Sequence, residues 1–358
     1  MRTVDLKKLK SSFIVFLLTM FLCLTFFAAF SDTTLAAQSE EERTAMLVEG
    51  AKKEGKLVWY VTIRADEVVD ILNKFKKKYP FIETEFYRSG DEAQLTKVLS
   101  EARAKKYSFD VLETTGIAGE IFKKNGLFGR YLSPERKFFP EVSQDKDPAG
   151  YWTDYYVNYN VIGYNSKLVS PSEVPKNYND LLSPKWKGKM GMDDKAFYWF
   201  ANVLKIMGSE KNGIEYMKKL AGQNIQFRTG RNVIVDMLVA GEFAIGITTY
   251  NQRVEEKKAQ GAPLGWVAIE PVVPEIHPIA ISANAPHPNT ARLFVDFMLS
   301  KEGQEILASW YRIPSRIDVD ARMPGLKLAG IKILPFDTGI AADYDRYIKL
   351  YREILMKK

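Results

Sequence analysis

Residues 57–105, LVWYVTIRADEVVDILNKFKKKYPFIETEFYRSGDEAQLTKVLSEARAK, contain two units in which a short apolar run precedes an amphipathic stretch. Leu57–Val61 predicts a buried strand, and the apolar residues between Val68 and Phe75 recur at helical spacing. The run Phe109–Glu113 and the residues after it repeat the pattern. This alternation of strands and helices predicts an α/β architecture.

Three loops follow the predicted strands, and in such sheets ligands bind outside the carboxyl ends of the strands. Loops 62–65, 88–91 and 114–116 should therefore share one rim. The candidate ligand contacts on this rim are Arg64, Ser89, Gly90, Thr114 and Thr115.

Ser89 and Gly90 stand where a strand is predicted to turn into a helix. The free backbone N–H groups of that helix start, together with the hydroxyl, would form an anion site. Ser89 could equally serve only to cap the helix. Thr114 and Thr115 carry the same two interpretations, as donors to a ligand or as caps.

Two later segments predict strands that connect parts of the molecule. The alternating aromatic stretch YWTDYYVNYNVIGYN, residues 151–165, predicts an antiparallel or crossover strand. The stretch IEPVVPEIHPIAI, residues 269–281, predicts a return crossing, and its prolines favour an edge strand or a connection between lobes. Residues 289–309 predict a single amphipathic helix.

The first 37 residues predict a secretory leader. Four basic residues precede a nearly uncharged apolar run from Phe13 to Phe30, and the small residues Ala36 and Ala37 follow. The alternative is an uncleaved anchor helix, because about 18 apolar residues is the shortest stretch that spans a membrane. Cys23 lies inside the apolar run and lacks the small residues before it that lipid attachment requires.

Composition limits the class of protein. The formal charge is +7 over 358 residues, and basic residues are interspersed with acids, which argues against a nucleic-acid surface. With one cysteine, in the leader, the exported chain must be stabilised by its core, for which 46% hydrophobic residues suffice. The length favours two lobes.

Six segments, in this order, resemble the solute-binding proteins of bacterial ABC importers, in the branch that includes the ferric-ion-binding proteins. They are LVWYV, RSGDEAQL, NDLLSPKWKGKMGM, RTGRNVIVDMLVAGEFAIGITTYNQ, APHPNTARLFVDFMLSKEGQEILASW and YRIPSR. The resemblance implies a type 2 periplasmic-binding fold, with two α/β lobes joined by crossing strands and a ligand cleft between them. It also implies a monomer in the periplasm that closes on a small molecule and delivers it to an inner-membrane permease.

The resemblance suggests a division of the chain into five parts. The signal peptide is 1–37, and the first lobe begins at 38–150. The second lobe is 151–271, the chain returns to the first lobe in 272–320, and a C-terminal helical segment, 321–358, packs on a lobe.

Arg228 and Arg231 bracket a glycine turn before an apolar helix, in a loop that the resemblance assigns to the cleft. A guanidinium binds carboxylate or phosphate through two parallel hydrogen bonds. Tyr198, at the start of another predicted helix, is the further candidate from this lobe. Arg253 is expected on the surface.

Tyr250 follows the strand FAIGITT, at the position where ferric-binding relatives carry metal-ligating tyrosines, usually an adjacent pair. Here Thr249 and Asn251 break the pair, and one phenolate is a poor iron site unless carboxylates such as Asp193 complete it. His277 and His287 are expected away from the rim. The predicted ligand is therefore a small organic anion, with ferric iron as the alternative transported ligand and no cofactor.

Two other classes share some of these features. A secreted enzyme would need Asp193 and Asp194 as an acid–base pair, but neighbours on a strand point to opposite faces. The sequence contains no G-x-S-x-G, H-E-x-x-H or P-loop motif. A sensory module would have the same cleft as a transport receptor. The sequence favours a non-catalytic receptor.

Export of the full-length chain tests the leader. We expect the mature protein to begin at Gln38, because a small residue must precede the cleavage site. The intact mass of the exported protein measures this, with Ala37→Arg as a variant that should stay uncleaved. Recovery of the unprocessed chain in the membrane fraction would instead identify an anchor helix.

Overall fold

The computed structural model describes residues 40–140 and 146–357. The predicted leader and Cys23 lie outside the described residues. None of the helices in the described part is long and apolar enough to cross a membrane.

Strands and helices alternate through the first part of the chain, as predicted. The elements are α1 (40–54), β1 (Lys56–Val61), α2 (Ala65–Lys78), β2 (Glu83–Arg88), α3 (Asp91–Arg103), β3 (Val111–Glu113), α4 (Gly116–Lys124), β4 (Phe128–Gly129) and β5 (Thr153–Asn165).

The second part continues the alternation and ends in helices. Its elements are β6 (Met190–Asp193), α5 (Phe197–Ile206), α6 (Glu210–Ala221), β7 (Gln226–Arg228), α7 (Arg231–Ala240), β8 (Ile245–Tyr250), α8 (Asn251–Ala259), β9 (Leu264–Val267), β10 (Pro274–Ser282), α9 (Pro288–Leu299), α10 (Lys301–Ser309), β11 (Ile313–Pro314) and α11 (Tyr344–Tyr351).

The main strands are hydrogen-bonded in the continuous order β2-β1-β3-β10-β5-β8-β6-β7. Strand β5 divides this order into a first sheet, on the side of β10, and a second sheet, on the side of β8. Strands β1, β2 and β3 are parallel, and β10 joins them antiparallel. Strands β6, β7 and β8 are parallel in the second sheet. We call each sheet with its helices a lobe, and the mixed α/β fold with two lobes confirms the predicted class.

Strand β5 belongs to both sheets. Its residues Thr153–Tyr159 pair with β10, and Asn160–Asn165 pair with β8 and β9. This confirms the crossover strand that the alternating aromatic stretch predicts. The passage from one lobe to the other therefore falls inside one continuous strand.

Strand β10 is central in the first sheet, between β3 and β5, so the prediction of an edge strand is wrong while that of a lobe connection holds. Pro274 begins the strand, and the register shifts between His277 and Pro278. Such an irregularity accommodates a proline, which cannot donate a ladder hydrogen bond.

The first sheet packs against helices on both faces, and successive side chains of β1 point to opposite faces. Leu57, Trp59 and Val61 of β1 belong to an apolar cluster that contains α2 and α9, whereas Tyr60 belongs to the other cluster, which contains Phe122 of α4. Burial on both faces is the pattern expected of a parallel sheet.

The C-terminal segment contacts both lobes. Residues 338–342 form a turn packed against α4, and α11 packs on α5 of the second lobe. The ring of Tyr351 lies 5.1 Å from that of Phe197 and 5.5 Å from that of Phe200. The chain crosses between the lobes within β5 and again on the way to β10, and the C-terminal segment provides a third link between the two lobes.

Residues 289–309 form two helices rather than the single predicted one. The break falls at Ser300, whose hydroxyl accepts a hydrogen bond from the backbone N–H of Gly303 at 3.2 Å and so caps α10. By this bond the serine side chain replaces a partner within a continuous helix, so one helix ends and another begins. The spacing of apolar residues alone does not reveal such a break.

Phe294 of α9 is fully buried, with its ring 4.9 Å from Trp59 and 5.0 Å from Phe75. We expect Phe294→Ala to lower the free energy of unfolding by about 3–5 kcal/mol, because it leaves a cavity in the first lobe. Val69→Ala, on the exposed side of α2, should stay within about 0.5 kcal/mol. Urea denaturation measures both, and equal losses would contradict this packing.

Candidate ligand cleft

A cavity of about 550 Å³ lies between the two lobes. Its walls come from the ends of β1 and β2, the starts of α2, α3, α7 and α8, and strands β5 and β10. Six basic and six acidic side chains line it. The basic residues are Arg64, Arg88, Lys195, Arg231, Arg253 and Arg312, and the acidic residues are Glu67, Asp91, Glu92, Asp193, Glu256 and Glu275.

Four helices begin at this cavity, two from each lobe. Their N-cap residues, Arg64, Gly90, Gly230 and Tyr250, make no side-chain capping hydrogen bond. Each helix follows a parallel strand whose carboxyl end lies at the cleft. The N-termini of the four helices, which carry the positive ends of the helix dipoles, therefore converge there. Free N–H groups and helix dipoles together favour negative charge.

Arg231 is the central cation on the second lobe. Its guanidinium lies 3.0 Å from Glu275 and 3.6 Å from Asp193, and stacks over the ring of Tyr250 at 4.7 Å. Burial opposes the charge of Arg231, but the neighbouring groups Glu275, Tyr250 and Asp193 together outweigh it and raise the pKa of Arg231. Burial raises the pKa of Asp193, and Arg231 only partly offsets that effect.

The hydroxyl of Tyr250 donates a hydrogen bond to the carboxylate of Glu275. Burial raises the pKa of this phenol well above its ordinary value, and the charge of Glu275 raises it further, against the opposing effect of Arg231. The side chain is therefore held as a neutral phenol.

A buried polar network lies under the cleft floor and joins β3, β5 and β10. His277 Nδ1 lies 2.9 Å from Glu113 Oε1 and 2.7 Å from the Tyr156 hydroxyl, and Nε2 lies 3.0 Å from the Asn158 amide nitrogen. Asn158 in turn accepts from Gln252 of α8 at 2.6 Å. Burial opposes ionisation of Glu113, but its bonds, chiefly to His277, hold its pKa below the usual range.

Ion pairs cross the cleft between the lobes. Arg64 of the first lobe donates to both carboxylate oxygens of Glu256 in the second lobe, at 2.9 and 3.0 Å. Lys195 of the second lobe lies 2.6 Å from Glu92 of the first. Charged groups from both lobes therefore meet directly at the cleft.

Six of the nine ligand contacts predicted from the sequence line one of two neighbouring cavities. Arg64, Gly90, Arg231 and Tyr250 line the main cavity together with Asp193. Thr115 and Tyr198 line a side cavity of about 20 Å³, which shares Asp91, Arg231 and Glu275 with the main one.

Three predicted contacts do not line either cavity. Arg228 donates to the adjacent carbonyl of Phe227, since it ends a strand rather than beginning the helix as Arg231 does. Ser89 and Thr114 are buried, and neither hydroxyl has a hydrogen-bond partner among the described residues. Ser89 does not cap α3, because the N-cap residue of that helix is Gly90, so the alternative role of Ser89 as a helix cap is also unsupported.

Two expectations about charged residues are wrong. His277 was expected away from the rim, yet it lines the cleft because β10 is a central strand. Arg253 was expected on the surface, yet it lines the cleft and pairs with Glu256 at 2.8 Å and with Asp236 at 3.3 Å.

Several cleft residues were missed by the sequence reasoning. They are Arg88, Asp91, Tyr156, Asn158, Glu275, Arg312 and Tyr344. Glu275 and His277 could have been found, because a charged residue inside an otherwise apolar crossing strand must have a partner. Arg312 and Tyr344 come from distant segments, and no local pattern marks them.

Among the described residues, no group of three or more histidine, cysteine, aspartate and glutamate side chains is arranged to hold a metal ion. The predicted pair for iron, Tyr250 and Asp193, is separated by the guanidinium of Arg231, which contacts both.

Solved structures and curated relatives place this architecture in a known class. AfuA from Actinobacillus pleuropneumoniae, solved with exogenous fructose-6-phosphate bound, has a TM-score of 0.76 at 24% identity, covering 85% of this chain and 99% of that one. Iron-bound HitA from Pseudomonas aeruginosa has a TM-score of 0.74 at 22% identity, covering 84% of this chain and 99% of that one. The fold is therefore that of the two-lobed periplasmic binding proteins.

An uncharacterized protein of Haemophilus influenzae is 27% identical over 295 residues, which cover 77% of this chain and 82% of that protein. The family model described as bacterial extracellular solute-binding protein matches residues 111–337. The chain belongs to this family. It is a solute-binding receptor of an ABC importer, and its family and structural neighbours are binding proteins rather than enzymes.

Arg231 and Arg228 form a matched pair for mutation. We expect Arg231→Ala to lower the free energy of unfolding by about 3 kcal/mol at neutral pH, because Glu275 and Asp193 lose their cation. Arg228→Ala should change it by about 0.5 kcal/mol or less.

The loss in Arg231→Ala should shrink as the pH falls. A carboxyl whose folded pKa is raised stabilises the folded state at low pH and loses that contribution as the pH rises through the folded pKa. Asp193 is such a group, and removal of Arg231 raises its pKa further. Urea denaturation at pH 5 and pH 8 measures this, and a loss independent of pH would contradict the charge argument.

Proposed function

We propose that the protein is a periplasmic, monomeric receptor that captures a small organic anion and delivers it to the inner-membrane permease of an ABC importer. The ligand class comprises carboxylates, phosphonates and phosphorylated compounds. The observation that carries this proposal is the convergence of four uncapped helix starts on a cleft lined by arginines. Arg64, Gly90, Arg231 and Tyr250 are the proposed ligand contacts.

Unsatisfied donors support a ligand that accepts hydrogen bonds. The Nε–H groups of Arg231 and Arg253 are buried without a partner among the described residues. A buried donor without an acceptor costs about 1–3 kcal/mol. A carboxylate or phosphate in the cleft would accept from such donors and from the free helix N–H groups.

Cleft size supports an organic ligand. Small-molecule sites occupy about 300–1,000 Å³, and the cavity of about 550 Å³ falls within that range. A bare metal ion would leave most of this volume to water.

Closure of the lobes would couple binding to delivery. A ligand that contacts both lobes binds the closed form better than the open one and shifts the population toward it. The pairs Arg64–Glu256 and Lys195–Glu92 join the two lobes across the cleft, and separation of the lobes would break them.

Ferric iron is the second candidate, because Tyr250 lies in the cleft and the fold is shared with iron-bound HitA. The local contacts favour it less. The phenol of Tyr250 is bonded to Glu275, its pKa is raised by burial, and Arg231 stacks on its ring. Iron would require a phenolate and the displacement of that guanidinium.

Thermal unfolding of the protein without residues 1–37 tests the ligand class. The panel contains small carboxylates, phosphonates, sugar phosphates and ferric citrate. We expect an organic anion at a hundred times its dissociation constant to stabilise the protein by about 2.7 kcal/mol. Isothermal titration with Arg231→Lys should then show weaker binding, since an ammonium cannot bind an oxyanion through two parallel bonds.

Two results would change the assignment. Stabilisation by iron, with a phenolate-to-metal absorption band that Tyr250→Phe removes, would support the ferric alternative. Reproducible turnover of a bound compound by the purified protein would instead indicate an enzyme. Arg228→Ala serves as the control, because that side chain does not line the cleft.

A further inference from the structure

Arg88 and Asp91 flank the two-residue turn at which β2 ends and α3 begins, and both line the cleft. The Nε–H of Arg88 donates to the backbone carbonyl of Ile63 at 3.2 Å. Within the described part of the chain, Arg88 makes no ion pair, and the Asp91 carboxyl makes neither a hydrogen bond nor an ion pair.

The other charged groups of the cleft differ from these two. Each of the five remaining acids has a basic partner, and each of the five remaining bases has an acidic partner. The pairs are Arg64–Glu256, Lys195–Glu92, Arg231–Glu275, Arg231–Asp193, Arg253–Glu256 and Arg312–Glu67. One unpaired charge of each sign therefore remains in the cleft, at the same turn.

The surroundings of Asp91 explain why its lack of a partner matters. Its pKa is raised to about 7, first by burial and next by the charge of Glu275 on β10. Glu113 on β3 and Asp193 on β6 act in the same direction, while Arg231 on α7 opposes them. A half-buried carboxyl among like charges is costly unless a hydrogen-bond donor reaches it.

We propose that the ligand carries hydroxyl groups beside its anionic group, and that Asp91 binds a hydroxyl while Arg88 and the start of α3 bind the anion. This inference rests on the proposed function, because it names the substrate class of the same cleft. Asp91 is then a ligand-binding residue that sets specificity. It selects hydroxylated anions over plain ones.

The donor is assigned as a hydroxyl because of the protonation state and the space around Asp91. A hydroxyl both donates and accepts, so it bonds to a carboxylate and to a protonated carboxyl, which suits a group whose pKa is about 7. Asp91 also lines the side cavity of about 20 Å³, beside Thr115 and Tyr198. A cavity of that size with polar walls holds about one water or one hydroxyl.

Isothermal titration with two phosphates tests the proposal. Fructose 6-phosphate and n-hexyl phosphate both have six carbons and a phosphate, but only the first carries hydroxyls. We expect the protein to bind fructose 6-phosphate about ten to a hundred times more tightly, the usual effect of losing one hydrogen bond to a charged group.

Variants then separate the two roles. Asp91→Ala and Asp91→Asn should weaken the binding of fructose 6-phosphate alone. The ratio of the two affinities should therefore fall toward one. Hexyl phosphate should bind Asp91→Ala as well as before or better, because a negative charge near its phosphate is gone. Arg88→Ala should weaken both phosphates and leave their ratio unchanged. Glu83→Ala, an exposed charge on β2 outside the cleft, should change neither.

Three outcomes would overturn the inference. An unchanged preference for fructose 6-phosphate over hexyl phosphate in both Asp91 variants would show that another residue binds the hydroxyls. Equal weakening of both phosphates in Asp91→Asn would assign Asp91 to the structure of α3, which the urea denaturation curve would then show. Failure of the unmutated protein to bind either phosphate would overturn the inference. The thermal panel decides the proposed function separately, which is rejected only if no carboxylate, phosphonate or phosphorylated compound stabilises the protein.

Discussion

Strand β5 is the constraint on which the rest of the molecule depends. One strand of 13 residues supplies its first half to one sheet and its second half to the other. Because it is paired in both sheets, it fixes how the parallel strands of the two lobes face each other. Their carboxyl ends meet across a single cleft, and the helices that follow those strands begin there.

The same arrangement explains why so many acids line a cleft proposed for an anion. Converging helix starts and six basic side chains concentrate positive potential. Without a ligand, these cations must still be solvated or paired, because an uncompensated charge in a partly buried site is costly. Glu275, Asp193 and Glu256 provide that pairing and hold the arginines in fixed positions.

The family resemblance indicated the cleft positions of Arg231 and Tyr250. Local patterns in the sequence were enough to predict the alternating elements, the crossover strand and the rim positions of Arg64 and Gly90. They failed where the answer depended on distant pairing. Whether β10 is an edge or a central strand depends on β3 and β5, so His277 was misplaced. Arg228 and Arg231 are three residues apart in similar sequence, yet only the second begins a helix at the cleft.

The contacts of Tyr250 differ from those that a metal-binding tyrosine would need. In a metal site the phenol must lose its proton and face a cation with other anionic ligands. Here its hydroxyl donates to Glu275, and the positive charge beside its ring is the guanidinium of Arg231. That guanidinium also contacts Glu275 and Asp193, the carboxylates that a metal would need. Under the proposed function, an anionic ligand would therefore meet a cation that is already held in place by its carboxylate partners.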